Sequence, residues 1–268
     1  MIETHTHSFF SFDGKADIQD MIDRAIELGV EYYCVTDHFD YDYKFLPDYQ
    51  HVRQIDLPGY IARMNELKKK YPFFHLGCEL GYSKNAVPLY KELPFDQFDY
   101  VLNSIHTVGM WDAYNPKYYV GKSKHEAYKM YLDKIRESLE VPYPYNTVSH
   151  IGYVRKNAPY EDTELYYDEF KDELDDILKR IVELDKALEI NTKLDGDRFM
   201  PEKEVLEHYY AFGGRKITFA SDSHEPSRLG HNFDKAEKMA EEVGFTYWTV
   251  FEKQKPLFIP FASQRNNK

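Results

Sequence analysis

The sequence predicts an α/β fold in which a parallel sheet rolls up into a barrel or nearly does. Three observations carry that expectation. Seven short apolar runs alternate with amphipathic segments along the 268 residues. No linker, low-complexity run or internal repeat breaks the series, so one domain spanning 1–268 is expected. Histidines and carboxylates recur where the apolar runs end, from His5 near one terminus to His224 near the other. Strands alternating with helices imply βαβ units and hence parallel pairing.

The strands are expected at 2–6, 31–36, 73–79, 98–105, 145–149, 187–191 and 216–221. The first helix spans 17–28, because Ile18, Met21, Ile22, Ala25 and Ile26 share one face and Gly29 stops it. The second spans 58–70, with Pro58 in its first turn, where a helix needs no N–H. Further helical patterns cover 123–139, 163–186, 201–212 and 226–243; Pro201 opens the fifth and Gly213-Gly214 ends it. The longest irregular stretches, 39–57, 80–97 and 107–122, are rich in Tyr, Pro and Asp. Loops that follow the strands of a parallel barrel form its active face, so these should wall a substrate cleft.

A chain that is 43% hydrophobic and 16% aromatic can bury a sizeable core. Most of the tyrosines should pack with their hydroxyls at the surface, and some should line a wet, ring-binding cleft. The net charge of −12 and the lack of a Lys/Arg block argue against a nucleic-acid partner. Cys34 and Cys78 both fall inside expected strands, which suggests a reducing compartment and no disulfide framework. The chain shows no charged-then-apolar leader and no apolar run near the ~20 residues that span a bilayer. A soluble, cytoplasmic protein without membrane contact is expected.

Side chains on a strand alternate faces, so His5 and His7 point the same way, as do Asp222 and His224. Glu79, His106 and His150 end the third, fourth and fifth strands; His38 follows the second, and Asp13 lies in the loop after the first. Six histidines and three carboxylates thus collect at C-terminal strand ends. Asp37 points away from His38 and reads as a supporting carboxylate. His51, His75, His125, His208 and His231 are expected to be structural, although His75 shares the face of Glu79. Imidazole mixed with carboxylate suits Zn, Mn or Fe better than Mg or Ca. Nine ligands exceed the needs of one ion. Three divalent ions with a bridging carboxylate would leave positions open for water and substrate. Set against three carboxylates and a hydroxide, three such ions leave two positive charges, matching a phosphate monoester dianion.

The segments His5-x-His7, Thr36-Asp37-His38, Gly77-x-Glu79, Ser104-x-His106, Ser149-His150 and Ser221-Asp222-x-His224 resemble the motifs of the polymerase and histidinol phosphatase (PHP) superfamily, over essentially the whole chain. That resemblance implies a distorted (βα)7 barrel with a trinuclear metal site at the C-terminal ends of the strands. It also implies that His5, His7, Glu79 and Asp222 hold one metal. Glu79 would bridge to a second, held by His106 and His150, and Asp13, His38 and His224 would hold a third. Some members carry histidine where this chain has Asp13, which changes the charge of the third site. Within the superfamily the chain looks most like the monofunctional L-histidinol-phosphate phosphatases. The matching features are Phe98-Asp99-Tyr100 leading into Ser104-Ile105-His106, Glu189-Ile190-Asn191-Thr192, Gly213-Gly214 before Ile217-Thr218, and the run from Ser221 to Gly230. Tyr247 to Pro256 is similar to the family's closing strand. The implied reaction is hydrolysis of L-histidinol phosphate to L-histidinol and phosphate, in histidine biosynthesis.

The chemistry expected of such a site is hydroxide attack on a phosphorus atom, with cations offsetting charge at the attacking and leaving oxygens. Glu79, Asp222, His224 and His38 are the candidate catalytic residues. Arg155 and Arg198, on the expected active face, are the candidate phosphate binders, because a planar guanidinium can bind an oxyanion bidentately; Lys156 and Lys193 rank behind them. The imidazole and ammonium of the small-molecule phosphomonoester would draw on Trp111, Asp112, Tyr114, Tyr118, Tyr119, Asp40, Tyr41, Asp42 and Tyr43. Two other functions compete. One is a PHP phosphodiesterase or nuclease, which the acidic balance disfavours. The other is a non-catalytic metal-binding protein, which the intact ligand set disfavours.

Overall fold

All seven apolar runs form strands in the computed structural model, which describes residues 1–265. In chain order they are β1 (Ile2–Glu3), β2 (Tyr32–Val35), β3 (Phe74–Gly81), β4 (Tyr100–Ser104), β5 (Thr147–Val148), β6 (Ala187–Asn191) and β7 (Ile217–Ala220). They pair in that order, every pair parallel. β1 is short, but the chain after it stays in register with β7. Thr4 N donates to Phe219 O (3.1 Å), Asp222 N to His5 O (3.0 Å) and His7 N to Ser223 O (2.8 Å). These bonds join the first strand to the last, and the sheet becomes a near-closed parallel barrel. Apart from partly buried His75 in β3, the strands are buried, which is why they read as apolar runs and not as alternating ones.

The surrounding helices are α1 (Ile18–Glu27), α2 (Leu57–Lys70), α3 (Lys124–Ser138), α4 (Lys171–Glu183), α5 (Lys203–Ala211) and α6 (Phe233–Val243). Asp17 caps α1 by accepting from Gln19 N (2.8 Å), and a Ser123–Glu126 capping box opens α3. α1 buries Ile18, Met21, Ile22 and Ala25, whereas Ile26, expected on the same face, is exposed. Among the described residues, no helix is long and apolar enough to cross a membrane.

Three expectations are corrected. The helix expected over 163–186 begins only at Lys171, since a 3-10 turn at Tyr167–Phe170 buries both of those aromatic rings first. The helix expected over 226–243 begins at Phe233, because Gly230 (φ +70°) and Asn232 (φ +56°) occupy left-handed backbone that an α-helix cannot include. Tyr247 to Pro256 does not close the barrel. It enters an antiparallel hairpin, β8 (Tyr247–Glu252) with β9 (Lys255–Pro260), turning at Lys253 and Gln254 with φ of +50° and +61°. Asp99 anchors this hairpin below the barrel, its Oδ1 accepting from Lys253 N (3.1 Å) and its carbonyl from Gln254 N (2.8 Å).

The glycine two residues before Glu79 is a packing requirement. A Cβ at Gly77 would lie 2.9 Å from the Tyr100 carbonyl oxygen and 2.7 Å from Thr36 Cγ2. Gly77→Ala is expected to cost about 1–3 kcal/mol, as overpacking does. Urea unfolding monitored by tryptophan fluorescence checks it; an unchanged midpoint would contradict so close an approach of β3 to β4.

Candidate metal centre

The alternation that sets His5 and His7 on one side of the first strand sends Thr6 the other way, to the Tyr33 hydroxyl. His5 and His7 turn inward and meet Glu79, whose two oxygens face different partners. Glu79 Oε1 lies 2.8 Å from His150 Nε2 and 3.2 Å from His106 Nε2, and accepts from Ser104 Oγ (2.8 Å). Glu79 Oε2 lies 3.2 Å from His5 Nε2, 3.5 Å from His7 Nε2 and 3.0 Å from His38 Nδ1. Asp222 Oδ1 is 3.4 Å from His7 Nε2. Asp13 Oδ2 is 3.0 Å from His224 Nε2 and 3.7 Å from His38 Nε2. The fold therefore gathers all nine residues in one cluster. His150 (φ +22°) and Asp222 (φ +50°) reach it through left-handed backbone, a conformation that costs a non-glycine residue about 1–2 kcal/mol.

The donor set fits divalent cations. Four overlapping groups, each with ligand atoms within 4.8 Å of one another, lie here: His5–His7–Asp222, Glu79–His106–His150, His7–His38–His224 and His38–Asp40–His106. Glu79 Oε2 and His38 Nδ1 are buried without a hydrogen-bond partner. Nitrogen faces nitrogen at His5 Nε2–His7 Nε2 (3.1 Å) and His106 Nε2–His150 Nε2 (3.4 Å). Paired lone pairs at that distance call for a proton or a cation between them.

Charge in the protein alone follows the same geometry. Burial pulls the His5 pKa down, but Glu79 and Glu189 more than offset it and push it up to about 10. Burial likewise opposes His38 and His106, whose neighbouring carboxylates carry them well above the usual histidine range. His7 falls well below that range through burial and the adjacent His224 and His38. Burial would raise Asp222, yet Lys156 and Lys193 hold it far below the usual carboxylate range.

Two carboxylates at the cluster were not expected to face metal ligands: the sequence marks Glu189 only within a family motif, and Asp40 only as a candidate substrate contact. Glu189 Oε2 lies 2.7 Å from His5 Nδ1, and its Oε1 accepts from His150 N (2.9 Å). Asp40 lies 2.8 Å from His106 Nδ1 and 3.0 Å from His38 Nδ1. A glutamate within a buried strand is the signal that could have found the first; for Asp40, on a loop, nothing pointed to contact with the histidines. Asp37 accepts from Ser8 N and Oγ and from Ser11 Oγ, each at 2.6 Å, and so holds the loop that leads to Asp13. His75 stands four residues below Glu79, stacked on Tyr32 at 4.1 Å and away from the cluster.

A cleft of about 870 Å³ opens onto the cluster, lined in part by Phe12, Tyr43, Tyr49, Asp112, Tyr114 and Tyr153. Tyr118 and Tyr119 are instead buried, their hydroxyls bonded to the carbonyls of Ala127 and Val154. The two arginines expected to bind phosphate make protein contacts in this structure. Arg155 is buried between Glu164 and Glu202 and donates to Phe199 O (2.8 Å); Arg198 pairs with Glu164 (2.9 Å) and Thr163 Oγ1 (2.9 Å). Neither lines the cleft. Gly152 (φ +119°) starts a tight turn that sends Arg155 inward and leaves Tyr153 and Lys156 facing the cleft. Lys156 Nζ lies 2.8 Å from Asp222 Oδ2, and Lys193 Nζ 2.8 Å from His224 Nδ1.

Fold and cluster together put the molecule among the α/β barrels whose strand ends carry side chains able to hold divalent metals. The model of the PHP domain family matches residues 3–193. A probable histidinol-phosphatase of Clostridium acetobutylicum is 33% identical over 264 residues, covering 95% of this chain and 98% of the relative. One from Thermotoga maritima is 28% identical, covering 95% and 97%. Among solved structures, histidinol phosphate phosphatase of Lactococcus lactis, complexed with zinc, L-histidinol and phosphate, superposes with a TM-score of 0.86 at 28% identity, covering 96% of this chain and 98% of that one. The chain belongs to the PHP family, as a homologue of histidinol-phosphatases.

Proposed function

We propose that this protein is a metal-dependent phosphomonoesterase, a histidinol-phosphatase that converts L-histidinol phosphate to L-histidinol and phosphate in cytoplasmic histidine biosynthesis. The barrel is read as a distorted (βα)7 barrel with a trinuclear centre of Zn, Mn or Fe. The observation that carries this reading is Glu79, whose two oxygens face separate sets of histidines below a cleft that also presents Lys15, Lys156 and Lys193. His5, His7, Asp222 and Glu79 Oε2 would hold the first ion. Glu79 Oε1, His106 and His150 would hold the second, and Asp13, His38 and His224 the third. Such ions supply a hydroxide nucleophile at neutral pH and offset charge on phosphoryl oxygens.

The chain's own part is positioning and charge. Asp222, held ionised beside Lys156 and Lys193, is suited to hold a cation and to orient the attacking water. His38 and His224 line the cleft and are the proposed proton donors to the leaving oxygen. Asp40 and Glu189 add two carboxylates that the sequence balance omitted, and Lys156 with Lys193 restores the preference for a dianion. Phe12, Tyr43 and Tyr153 offer faces for an imidazole, and Asp112 a charge for an ammonium, so a small molecule and not a nucleic acid is the proposed substrate. The relative from Lactococcus lactis, complexed with zinc, L-histidinol and phosphate, supports the substrate assignment.

A kinetic panel with added Mn, Zn or Fe tests it, comparing histidinol phosphate with p-nitrophenyl phosphate, a bis-phosphodiester and a short oligonucleotide. If histidinol phosphate is turned over no better than the generic monoester, the substrate assignment falls. Lys156→Ala is expected to lower kcat/KM at least about tenfold, the loss of one charge-assisted bond, with metal content intact. Arg155→Ala should disturb stability more than KM. The opposite pattern would restore the arginine clamp.

A further inference from the structure

Asp40 occupies a loop position that no motif claims, yet it is buried and touches two sites at once. Its Oδ1 lies 2.8 Å from His106 Nδ1, and its Oδ2 lies 3.0 Å from His38 Nδ1. Each histidine turns its other nitrogen elsewhere. His106 Nε2 lies 3.2 Å from Glu79 Oε1 and 3.4 Å from His150 Nε2. His38 Nε2 lies 3.7 Å from Asp13 Oδ2. Among the described residues, the ion-pair partners of Asp40 are these two imidazoles. It does not line the cleft, so it is not placed to meet a substrate. β3 makes room for it. A Cβ at Gly81 would lie 1.8 Å from Asp40 Oδ1 and 3.2 Å from His106 Nδ1.

An imidazole whose Nδ1–H donates to a carboxylate presents a bare Nε2, the lone pair a cation needs. We infer that Asp40 is a positioning residue that sets this tautomer in His106 through its hydrogen bond, and in His38 once a bound cation aligns the 3.0 Å approach of Nδ1 to Asp40 Oδ2, tying one ligand of the second metal site to one ligand of the third. The inference rests on the three-site reading above. Because both rings share one carboxylate, losing it weakens two sites and spares the first, which His5, His7 and Asp222 define without it.

Asp40→Asn tests this. The amide keeps the shape but offers one acceptor oxygen, and its NH2 would face a nitrogen that must itself donate. Wild type and variant would be loaded with Zn or Mn and titrated with a chelator, with released metal read by mass spectrometry. Two of the three ions are expected to leave the variant at about 10–100-fold lower chelator concentration, the usual effect of removing a carboxylate behind a histidine ligand, and the third ion as in wild type. Gly81→Ala, which keeps Asp40 but displaces it, should give the same pattern. Nitrogen-15 spectra of zinc-loaded wild type should show Nδ1–H on both His38 and His106. Wild-type retention of all ions in Asp40→Asn, or Nε2–H on either ring, overturns the inference. So does a raised KM with metal retention intact, which would make Asp40 a substrate contact. Wild-type protein that holds a single ion would instead remove the three-site reading, and the inference with it.

Discussion

Glu79→Gln is expected to abolish turnover and to strip the purified protein of metal. One carboxylate here meets five imidazoles: His106 and His150 on Oε1, and His5, His7 and His38 on Oε2. A glutamine offers one oxygen. Whichever way it is turned, an NH2 then points at nitrogens that must accept a cation, and the negative charge that held them together is gone. Removing one partner of a buried charge pair costs about 3–5 kcal/mol, a hundred- to several-thousand-fold loss in metal affinity. Metal analysis of gently purified protein beside steady-state kinetics reads both effects. A Gln variant that keeps its ions and its kcat would refute the bridging role. A variant that keeps its ions but loses kcat would leave Glu79 needed for the reaction and not for assembly.

The ligand cluster was legible because it obeys strand arithmetic. His5 and His7, or Glu79 at the end of an apolar run, announce their direction by period-two alternation, and a parallel barrel brings all such ends to one face. What alternation does not encode is which group across the barrel reaches the second nitrogen of a histidine. Glu189 reaches His5 from a strand 184 residues away, and Asp40, although it stands beside His38, reaches His106 from a loop 66 residues away. The protein contacts of the arginines were hidden for a related reason. The direction of Arg155 depends on the left-handed turn at Gly152 and on Glu164 and Glu202, which compete for its guanidinium. The hairpin from Tyr247 was read as a single strand because its turn is Lys253-Gln254. Neither residue is the Asn or Gly that usually marks positive φ.

Removing the metals should change how the protein responds to pH, and putting them back should release protons. In the protein alone, His5 stands at about 10 and His38 and His106 well above their usual range, so these rings carry protons at neutral pH. A histidine raised on folding stabilises the fold fully below its unfolded value near 6.5, and that contribution is lost as pH rises through its folded value. Glu79 and Asp222, depressed on folding, act in the other sense: their contribution is present above about 4.5 and is lost in acid. Chelator-treated protein should therefore lose stability between neutral pH and about 10, as its imidazolium partners discharge. Metal-loaded protein should not, because cations replace those protons. Each proton displaced raises the apparent metal affinity about tenfold per pH unit. Titration calorimetry of Zn into stripped protein, in buffers of different ionisation enthalpy, counts the protons, and at least one is expected from His5. Thermal melts with and without excess metal should differ by about 4 kcal/mol at a thousand times Kd. No proton release at pH 7, with a melting temperature indifferent to chelator, would mean that these histidines are neutral in the unloaded fold and that the carboxylates facing them do not prepare the site for cations.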